Sequence, residues 1–178
     1  MVYSVMTRLE EADILDNTYI FFSSDNGFTI GQHRRQPGKQ SAFEEDVSVP
    51  LIIRGPGVPE GTTTDIVSSH VDLAPTFLQL ADAETSEKLD GLVIPLHHSE
   101  LDDARTTRQE NVNIEHWGIT MPEGKYGKFL YQNHTYKALR LAGKTHNLLY
   151  TVWCSGEHEL YDLNVSLGNP KRRKNQNR

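Results

Sequence analysis

The residues from Phe21 to Asp46 combine the side chains that a binding site for a divalent cation and an oxyanion requires. The triplet Asp25–Gly27 follows an apolar run, and carboxylate and amide oxygens are the ligands that a hard cation such as calcium prefers. A histidine, His33, and the pair Gly38-Lys39 come next. A lysine ammonium placed against an oxyanion stabilises negative charge, so this stretch predicts a site that holds both kinds of ion.

Each of these residues also has a simpler interpretation. Asn26-Gly27 between two strand-like runs is a strong hairpin signal, so a plain turn is the alternative to a ligand pair. Lysine side chains are mostly solvated, and a single loop histidine is more often a surface or packing residue than a catalyst. We expect Arg34 and Arg35 to be solvated, with the alternative that one of them contacts an anionic substrate.

The elements on either side of this stretch indicate an α/β fold. Apolar residues recur at helical spacing from Val2 to Ala12, which predicts an amphipathic helix that Asp16-Asn17 terminates. The run Thr18–Ser23 predicts a buried strand, and a helix leading into a strand is half of a βαβ unit. Asp25 and Asn26 then lie beyond the carboxyl end of a strand, where ligands collect in open α/β sheets. A second apolar run, Val49–Arg54, predicts a strand covered on both faces.

The remainder of the chain predicts one helix and then a set of short strands. Ser69 or Asp72 caps a helix that has Pro75 in its first turn and an apolar stripe of Leu73, Phe77 and Leu80. Residues 82–108 are expected to be irregular, apart from a buried stretch at 92–96. An antiparallel sheet is predicted from five strand-like runs, at residues 112–117, 128–132, 135–141, 148–154 and 158–163. The polar, basic end after Leu163 predicts a disordered tail.

Composition excludes several classes of protein. The chain has 178 residues, enough for a domain with a core, and no apolar run approaches the ~18 residues of a membrane span. A net charge of −6 argues against nucleic acid as a partner, although Lys171–Lys174 is a small basic patch. The single cysteine, Cys154, excludes an internal disulfide and a cysteine-rich zinc site.

Other polar motifs carry weaker signals. Three groups of residues have a structural interpretation as caps or strand ends, namely His70 with Asp72, His97-His98, and Glu115–Trp117. Asn133 and Asn164 begin N-x-S/T triplets and are candidate glycosylation sites if the chain is secreted.

A resemblance to a known family rests on five stretches: SSDNGFTIGQH (23–33), PGK (37–39), FEED (43–46), VPLIIRGPG (49–57) and HELYDL (158–163). They resemble the later part of type I, formylglycine-dependent sulfatases, in the arylsulfatase and N-acetylglucosamine-6-sulfatase branch of the alkaline-phosphatase-like superfamily. The resemblance extends from near Met1 to about Leu163. It implies a partial sulfatase sheet with helices, followed by a small C-terminal antiparallel sheet. The expected division is residues 1–110 for the catalytic part, 111–163 for the subdomain and 164–178 for the tail.

The resemblance also implies roles for residues. Asp25 and Asn26 match the family's calcium ligands, Lys39 matches its sulfate-binding lysine, and His33 is a candidate near the leaving group. The substrate would be an aryl or carbohydrate sulfate ester. The family is commonly secreted or lysosomal, which is the expected localisation.

The chain lacks other parts of the family's machinery. It contains no C/S-x-P-x-R motif, from which the formylglycine nucleophile is made, and the WCSGEH context of Cys154 does not match it. The family's upstream aspartate pair is also absent. We therefore expect a truncated sulfatase, with Met1 an internal methionine, that is inactive by itself. The alternatives are a non-catalytic remnant or interaction module, and a related phosphatase or phosphonate hydrolase.

Overall fold

The structure is a computed structural model that describes residues 1–108, 110–121, 123–126, 130 and 132–165. Contacts divide the chain into two compact units, and each consists of two separate stretches of sequence. The first unit contains Met1–Ser23 and Pro50–Arg108, and the second contains Ser24–Val49 and Gln109–Arg178. The loop with the candidate residues therefore belongs to the same unit as the C-terminal strands. The division of the family's domains at residue 110 stays a prediction.

The first unit begins with the predicted helix and a two-stranded sheet. Helix α1 spans Val2–Glu11, a 3₁₀ turn follows at Leu15–Asn17, and β1 spans Ile20–Phe22. β1 pairs antiparallel with β2, Ile52–Arg54, in a sheet of two strands. The predicted order of a helix followed by a strand is confirmed, and the pairing of β1 with the later strand β2 is antiparallel.

The expected burial of the two strands is wrong in part, since the side chain of Phe22 in β1 is 43% exposed. β2 is not covered on both faces, since the side chain of Ile52 is 61% exposed. No residue of α1 is buried, and Val5 on its apolar stripe is 50% exposed. Periodicity shows which face of an element is apolar, but burial of that face requires another element packed against it.

The second helix of this unit begins with the predicted cap. Ser69 and Asp72 form a reciprocal capping box around a 3₁₀ turn at His70–Asp72, and the helix α3 follows at Leu73–Leu80. Within α3 the buried residues are Pro75 and Thr76, whereas Phe77 is 46% exposed and packs edge-to-face on Phe21. The short helix α2 (Glu44–Val47), which precedes α3 in the chain, belongs to the second unit. The carboxylate of Asp72 also accepts a hydrogen bond from Arg108, so it holds distant parts of the unit together.

The expectation of an irregular segment at residues 82–108 is wrong for its last third, where His98–Thr107 form helix α4. The Glu100 carboxylate accepts hydrogen bonds from the backbone N–H groups of Leu96 and His97. Burial raises the pKa of Glu100, but these hydrogen bonds and the His97 ring lower the pKa further than burial raises it. The helix is nearly all polar, so periodicity could not predict it, and its capping box uses histidine instead of serine or threonine. The expected buried stretch before it is confirmed at Ile94 and Leu96.

The second unit contains the predicted antiparallel sheet. Its strands are β3 (Asn111–His116), β4 (Tyr136–Ala142), β5 (Asn147–Trp153) and β6 (His158–Asp162), and they lie in that order. All three pairings are antiparallel, with Tyr136 opposite both His116 and Trp153. Most of the expected strand at residues 128–132 and nearly all of the expected tail, from residue 166 onward, lie outside the described residues.

The core of this unit joins the sheet to the loop that precedes it in sequence. Ala42 packs with Tyr136, Ala138 and Leu149, and partly buried side chains such as Phe43 surround them. The helix α2 (Glu44–Val47) follows at once, and Arg140 donates a 2.7 Å hydrogen bond to its first residue, Glu44. Burial of each large apolar side chain contributes about 1.5–3 kcal/mol, so the sheet anchors the loop at this point. None of the described helices is both long and apolar enough to cross a membrane.

Candidate functional site

The loop from Ser24 to Val49 is held in shape by backbone contacts. The Gly27 N–H donates to the carbonyl of Asp46 at 2.8 Å, and Thr29 and Gly38 form an antiparallel bridge with N···O distances of 2.8 and 3.0 Å. A Cβ added to Gly27 would lie 1.9 Å from the backbone oxygen of Glu45, so this position accepts only glycine. The hairpin interpretation of Asn26-Gly27 is therefore wrong: the glycine permits close backbone approach, and the strand before it pairs with β2.

The oxygen pair Asp25–Asn26 lies three residues beyond the end of β1, as predicted from the sequence. Asp25 is exposed and its Oδ1 accepts a 3.0 Å hydrogen bond from the Asn26 N–H, while Asn26 Nδ2 donates to the carbonyl of Gly27 at 2.7 Å. These bonds do not use Asp25 Oδ2 or Asn26 Oδ1. Because the Asn26 amide nitrogen is committed to the backbone, its oxygen is oriented away from it.

This pair fits part of a coordination shell for a hard cation. Carboxylate and amide oxygens suit calcium, which takes six to eight oxygen ligands. Within the described residues no cluster of three or more His, Cys, Asp and Glu side chains could hold a metal ion. The pair can therefore contribute two residues to a site whose other ligands come from elsewhere.

Lys39 is an exposed cation beside the Thr29–Gly38 bridge. Among the described residues its ammonium takes part in no hydrogen bond or ion pair. Its position is therefore set by the backbone on which it sits rather than by a neighbouring carboxylate, and the charge is available to an anion.

His33 lies on a strained turn and is bonded to an acidic neighbour. Its φ is 54° and that of Arg34 is 61°, in the left-handed region that residues with side chains rarely adopt. His33 Nε2 lies 2.9 Å from Glu45 Oε1, and the histidine side chain is 57% exposed. A carboxylate only accepts hydrogen bonds, so Nε2 carries the hydrogen and Nδ1 is the nitrogen left for another partner.

The structure contradicts the expectation that Arg35 is solvated, since its side chain is only 20% exposed. Its guanidinium donates to Thr29 Oγ1 at 2.6 Å, to Glu45 Oε2 at 3.2 Å and to Ser41 Oγ. It also lies over the ring of Phe43, 4.3 Å from the centroid. Arg34 is exposed, as expected.

A buried aspartate, Asp46, completes this network and was not singled out from the sequence. It is 4% exposed and accepts hydrogen bonds from Thr29 Oγ1 at 2.7 Å, from Ser41 N–H at 2.9 Å and from Ser41 Oγ at 2.5 Å. Its Oδ2 lies 3.9 Å from Arg35 Nη1, which balances the charge. The sequence signals were its place in the FEED stretch (43–46) that resembles sulfatases and an acidic run that follows two arginines, and such a run is also typical of a solvated surface.

The remaining candidates are placed separately. His97 is the N-cap of α4, His70 and Asp72 form the turn before α3, and Trp117 Nε1 donates to Glu115 Oε2 at 2.8 Å just after β3. That bond is the main reason why the pKa of Glu115 is lowered. Asn133 and Asn164 are both exposed, and Ser166 of the second triplet lies outside the described residues, so glycosylation stays a prediction.

Comparison with known proteins identifies related sequences. The family model described as Sulfatase matches residues 1–83. A curated protein named Sulfatase ppz1, from Metarhizium majus (strain ARSEF 297), is 38% identical over 93% of this chain and 34% of its own length. An arylsulfatase from Volvox carteri is 36% identical over 94% of this chain and 28% of its own length. The chain therefore spans about a third of the length of these two relatives.

Two solved structures superpose on most of this chain. A protein in complex with its substrate D-glucosamine-2-N,6-O-disulfate superposes with a TM-score of 0.74 and 25% identity, over 92% of this chain and 31% of that one. A phosphonate monoester hydrolase from Silicibacter pomeroyi superposes with a TM-score of 0.73 at 22% identity, over 93% of this chain and 32% of that one. The second likeness shows the fold alone.

Proposed function

Because this chain is a member of the sulfatase superfamily, we propose that it supplies the sulfate-binding part of a hydrolase of sulfate esters, with aryl or carbohydrate sulfates as substrates. The observation that carries this proposal is the state of Lys39. It is an exposed ammonium with no partner among the described residues. The residues on either side of it are held by hydrogen bonds, Gly38 to Thr29 and Gln40 to His134.

In this proposal Lys39 binds and orients the sulfuryl group. Hydrolysis breaks the S–O bond to the leaving group, and negative charge builds up on the oxygens as it breaks. A fixed ammonium against those oxygens stabilises that charge more in the transition state than in the ground state. Arg35 of the same loop is unsuited to this role, because its guanidinium is committed to Glu45, Thr29 and Ser41.

Asp25 and Asn26 would hold a divalent cation, for which calcium is the proposed identity. When bound, such a cation polarises the sulfate oxygens and offsets their charge. Asp25 Oδ2 and Asn26 Oδ1 are the atoms that point to this role, since the hydrogen bonds of the pair leave both available.

His33 is the proposed proton donor or acceptor near the leaving group. Its bond to Glu45 keeps the hydrogen on Nε2 and leaves Nδ1 for a proton that moves to or from the leaving oxygen.

Titration of the chain with sodium sulfate at constant ionic strength, followed through backbone amide NMR signals, tests the proposal. We expect Lys39→Ala to weaken sulfate affinity roughly tenfold, which corresponds to about 1.4 kcal/mol for one charge-assisted contact. Lys144→Ala is the matched control, because Lys144 is also exposed but lies in the turn between β4 and β5. Equal sulfate affinity of Lys39→Ala and the unaltered chain would refute the role of Lys39.

A second titration, with calcium chloride, tests the metal. Because the pair supplies only part of a coordination shell, we expect millimolar calcium to raise the melting temperature of the chain by only about 1–2 °C. It should leave that of Asp25→Ala unchanged, and Asp65→Ala is the control at another exposed aspartate. A chain that responds to neither sulfate nor calcium would favour a non-catalytic interaction module instead. Preferential binding of methylphosphonate over sulfate would favour the phosphonate hydrolases.

A further inference from the structure

The loop that carries Lys39 is bonded on both sides of the lysine. On one side, Gly38 pairs with Thr29 through two backbone hydrogen bonds, and the carbonyl of Pro37 accepts the N–H of Glu123 at 3.1 Å. On the other side, Gln40 has two contacts. Its side-chain Oε1 accepts the N–H of Met121 at 3.0 Å, and its backbone carbonyl lies 3.0 Å from His134 Nε2.

The contact with His134 has a definite direction. A carbonyl oxygen only accepts, so His134 Nε2 carries the hydrogen and donates it to Gln40. The histidine comes two residues before β4 and is half-buried. Its ring packs against three aromatic rings, with centroid distances of 5.0 Å to Trp153, 5.9 Å to His116 and 6.2 Å to Tyr136.

This environment restricts the orientation of the imidazole and disfavours its charged form. Burial lowers the pKa of His134, the bond to Gln40 raises it, and the nearby His116 lowers it again, so the net pKa lies below the ordinary value. Tyr136 and Trp153 belong to adjacent strands of the same sheet and sit opposite each other, so the aromatic surroundings are themselves fixed.

We propose that His134 is a positioning residue for Lys39: it donates a hydrogen bond to the carbonyl of the next residue, Gln40, and so fixes the backbone from which the ammonium extends. The proposal rests on the proposed sulfate-binding role of Lys39. An exposed lysine side chain has many rotamers, and restricting its backbone reduces the entropy lost when it binds an anion.

Two substitutions separate the hydrogen bond from the packing. His134→Phe keeps a ring among the aromatic side chains but has no donor, whereas His134→Gln loses the ring and keeps an N–H that can reach the carbonyl. The matched control is His158→Phe, since His158 is an exposed histidine that bonds to the Tyr150 hydroxyl in the same sheet.

The first measurement is amide hydrogen exchange, which needs no ligand. The N–H groups of Gly38 and Met121 both make hydrogen bonds that depend on the shape of this loop. We expect both to exchange at least fivefold faster in His134→Phe than in the unaltered chain, and at nearly unaltered rates in His134→Gln and His158→Phe.

The second measurement is affinity for inorganic sulfate. His134→Phe is expected to bind sulfate about five- to tenfold more weakly, which is the loss expected for one neutral hydrogen bond. His134→Gln, which keeps a donor, is expected to stay within about twofold of the unaltered chain. Unaltered exchange and affinity in a folded His134→Phe would overturn the inference, as would equal losses in His134→Gln and His134→Phe. If Lys39→Ala weakens sulfate binding and His134→Phe does not, only the positioning role fails; if Lys39→Ala has no effect, the proposed function fails first.

Discussion

Replacement of Asp46 by alanine is expected to destabilise the second unit more than any change at an exposed acidic residue. Asp46 is 4% exposed, and its carboxylate connects the beginning and the end of the loop that carries the candidate residues. Without it, the hydroxyl of Thr29 and both donors of Ser41 lose their acceptor. The loop would then no longer hold Lys39 at a defined place.

The magnitude follows from these contacts. A buried donor left without a partner costs about 1–3 kcal/mol, and three donors are affected, although the hydroxyl groups can rotate toward other acceptors. Arg35 loses one of two carboxylate neighbours but keeps Glu45 at 3.2 Å. We therefore expect Asp46→Ala to lower the free energy of unfolding by about 3–5 kcal/mol, in the range found when one partner of a buried ion pair is removed.

Urea unfolding followed by tryptophan fluorescence measures this loss. Both tryptophans of the chain, Trp117 and Trp153, lie in the second unit, so the signal reports on that unit. Asp46→Asn keeps one acceptor oxygen and should show a smaller loss. Glu157→Ala, at an exposed acidic position of the second unit between β5 and β6, should change stability by less than about 0.5 kcal/mol. A loss below about 1 kcal/mol for Asp46→Ala would refute the reasoning that this carboxylate organises the loop.

Three further changes test other parts of the structure. Gly27→Ala should destabilise the chain by about 1–3 kcal/mol in thermal unfolding, because the new Cβ would lie 1.9 Å from the backbone oxygen of Glu45. Unchanged stability would show that the loop can shift. Arg108→Met should lower the free energy of unfolding by about 3–5 kcal/mol, because the carboxylate of Asp72 loses its cation. The Asp72 side chain is 9% exposed and lies 2.7 Å from Arg108 Nη2. Urea unfolding that matches the unaltered chain would contradict this. Burial, and then the charge of Asp46, raise the pKa of Tyr136 to about 12, above the ordinary value of about 10. The unfolded chain therefore loses the phenolic proton at lower pH than the folded chain does. As a result, the free energy of unfolding should fall as the pH rises from about 10 to 12. The loss should be absent in Tyr136→Phe, and an equal loss in that variant would assign it to other groups.

Local patterns in the sequence predicted much of the secondary structure correctly. The helix at Val2–Glu11, the Ser69–Asp72 cap and the four strands β3 to β6 follow from side-chain periodicity and from capping chemistry, which depend on residues close in sequence. The position of Asp25–Asn26 just beyond β1 was predicted in the same way. The resemblance to sulfatases, which the comparisons confirm, likewise depends on short stretches that can be recognised one at a time.

Features that depend on distant contacts could not be predicted from local patterns. The antiparallel pairing of β1 with β2, across some thirty residues, depends on how the chain returns after the loop. The partly buried position of Arg35 depends on Thr29, Ser41, Phe43 and Glu45 converging around it. In sequence it was indistinguishable from its exposed neighbour Arg34.

The types of group available for chemistry were therefore determined by the sequence, and their states were decided by the tertiary structure. A lysine after a glycine and an Asp-Asn pair after a strand can be recognised without a fold. That Lys39 lacks a partner among the described residues, that Asp46 is buried, and that His134 bonds to the residue after Lys39 depend on which segments meet in space. The free energy of a charged or hydrogen-bonding group is set by its surroundings, and those surroundings come from residues as far as 96 positions away in the chain.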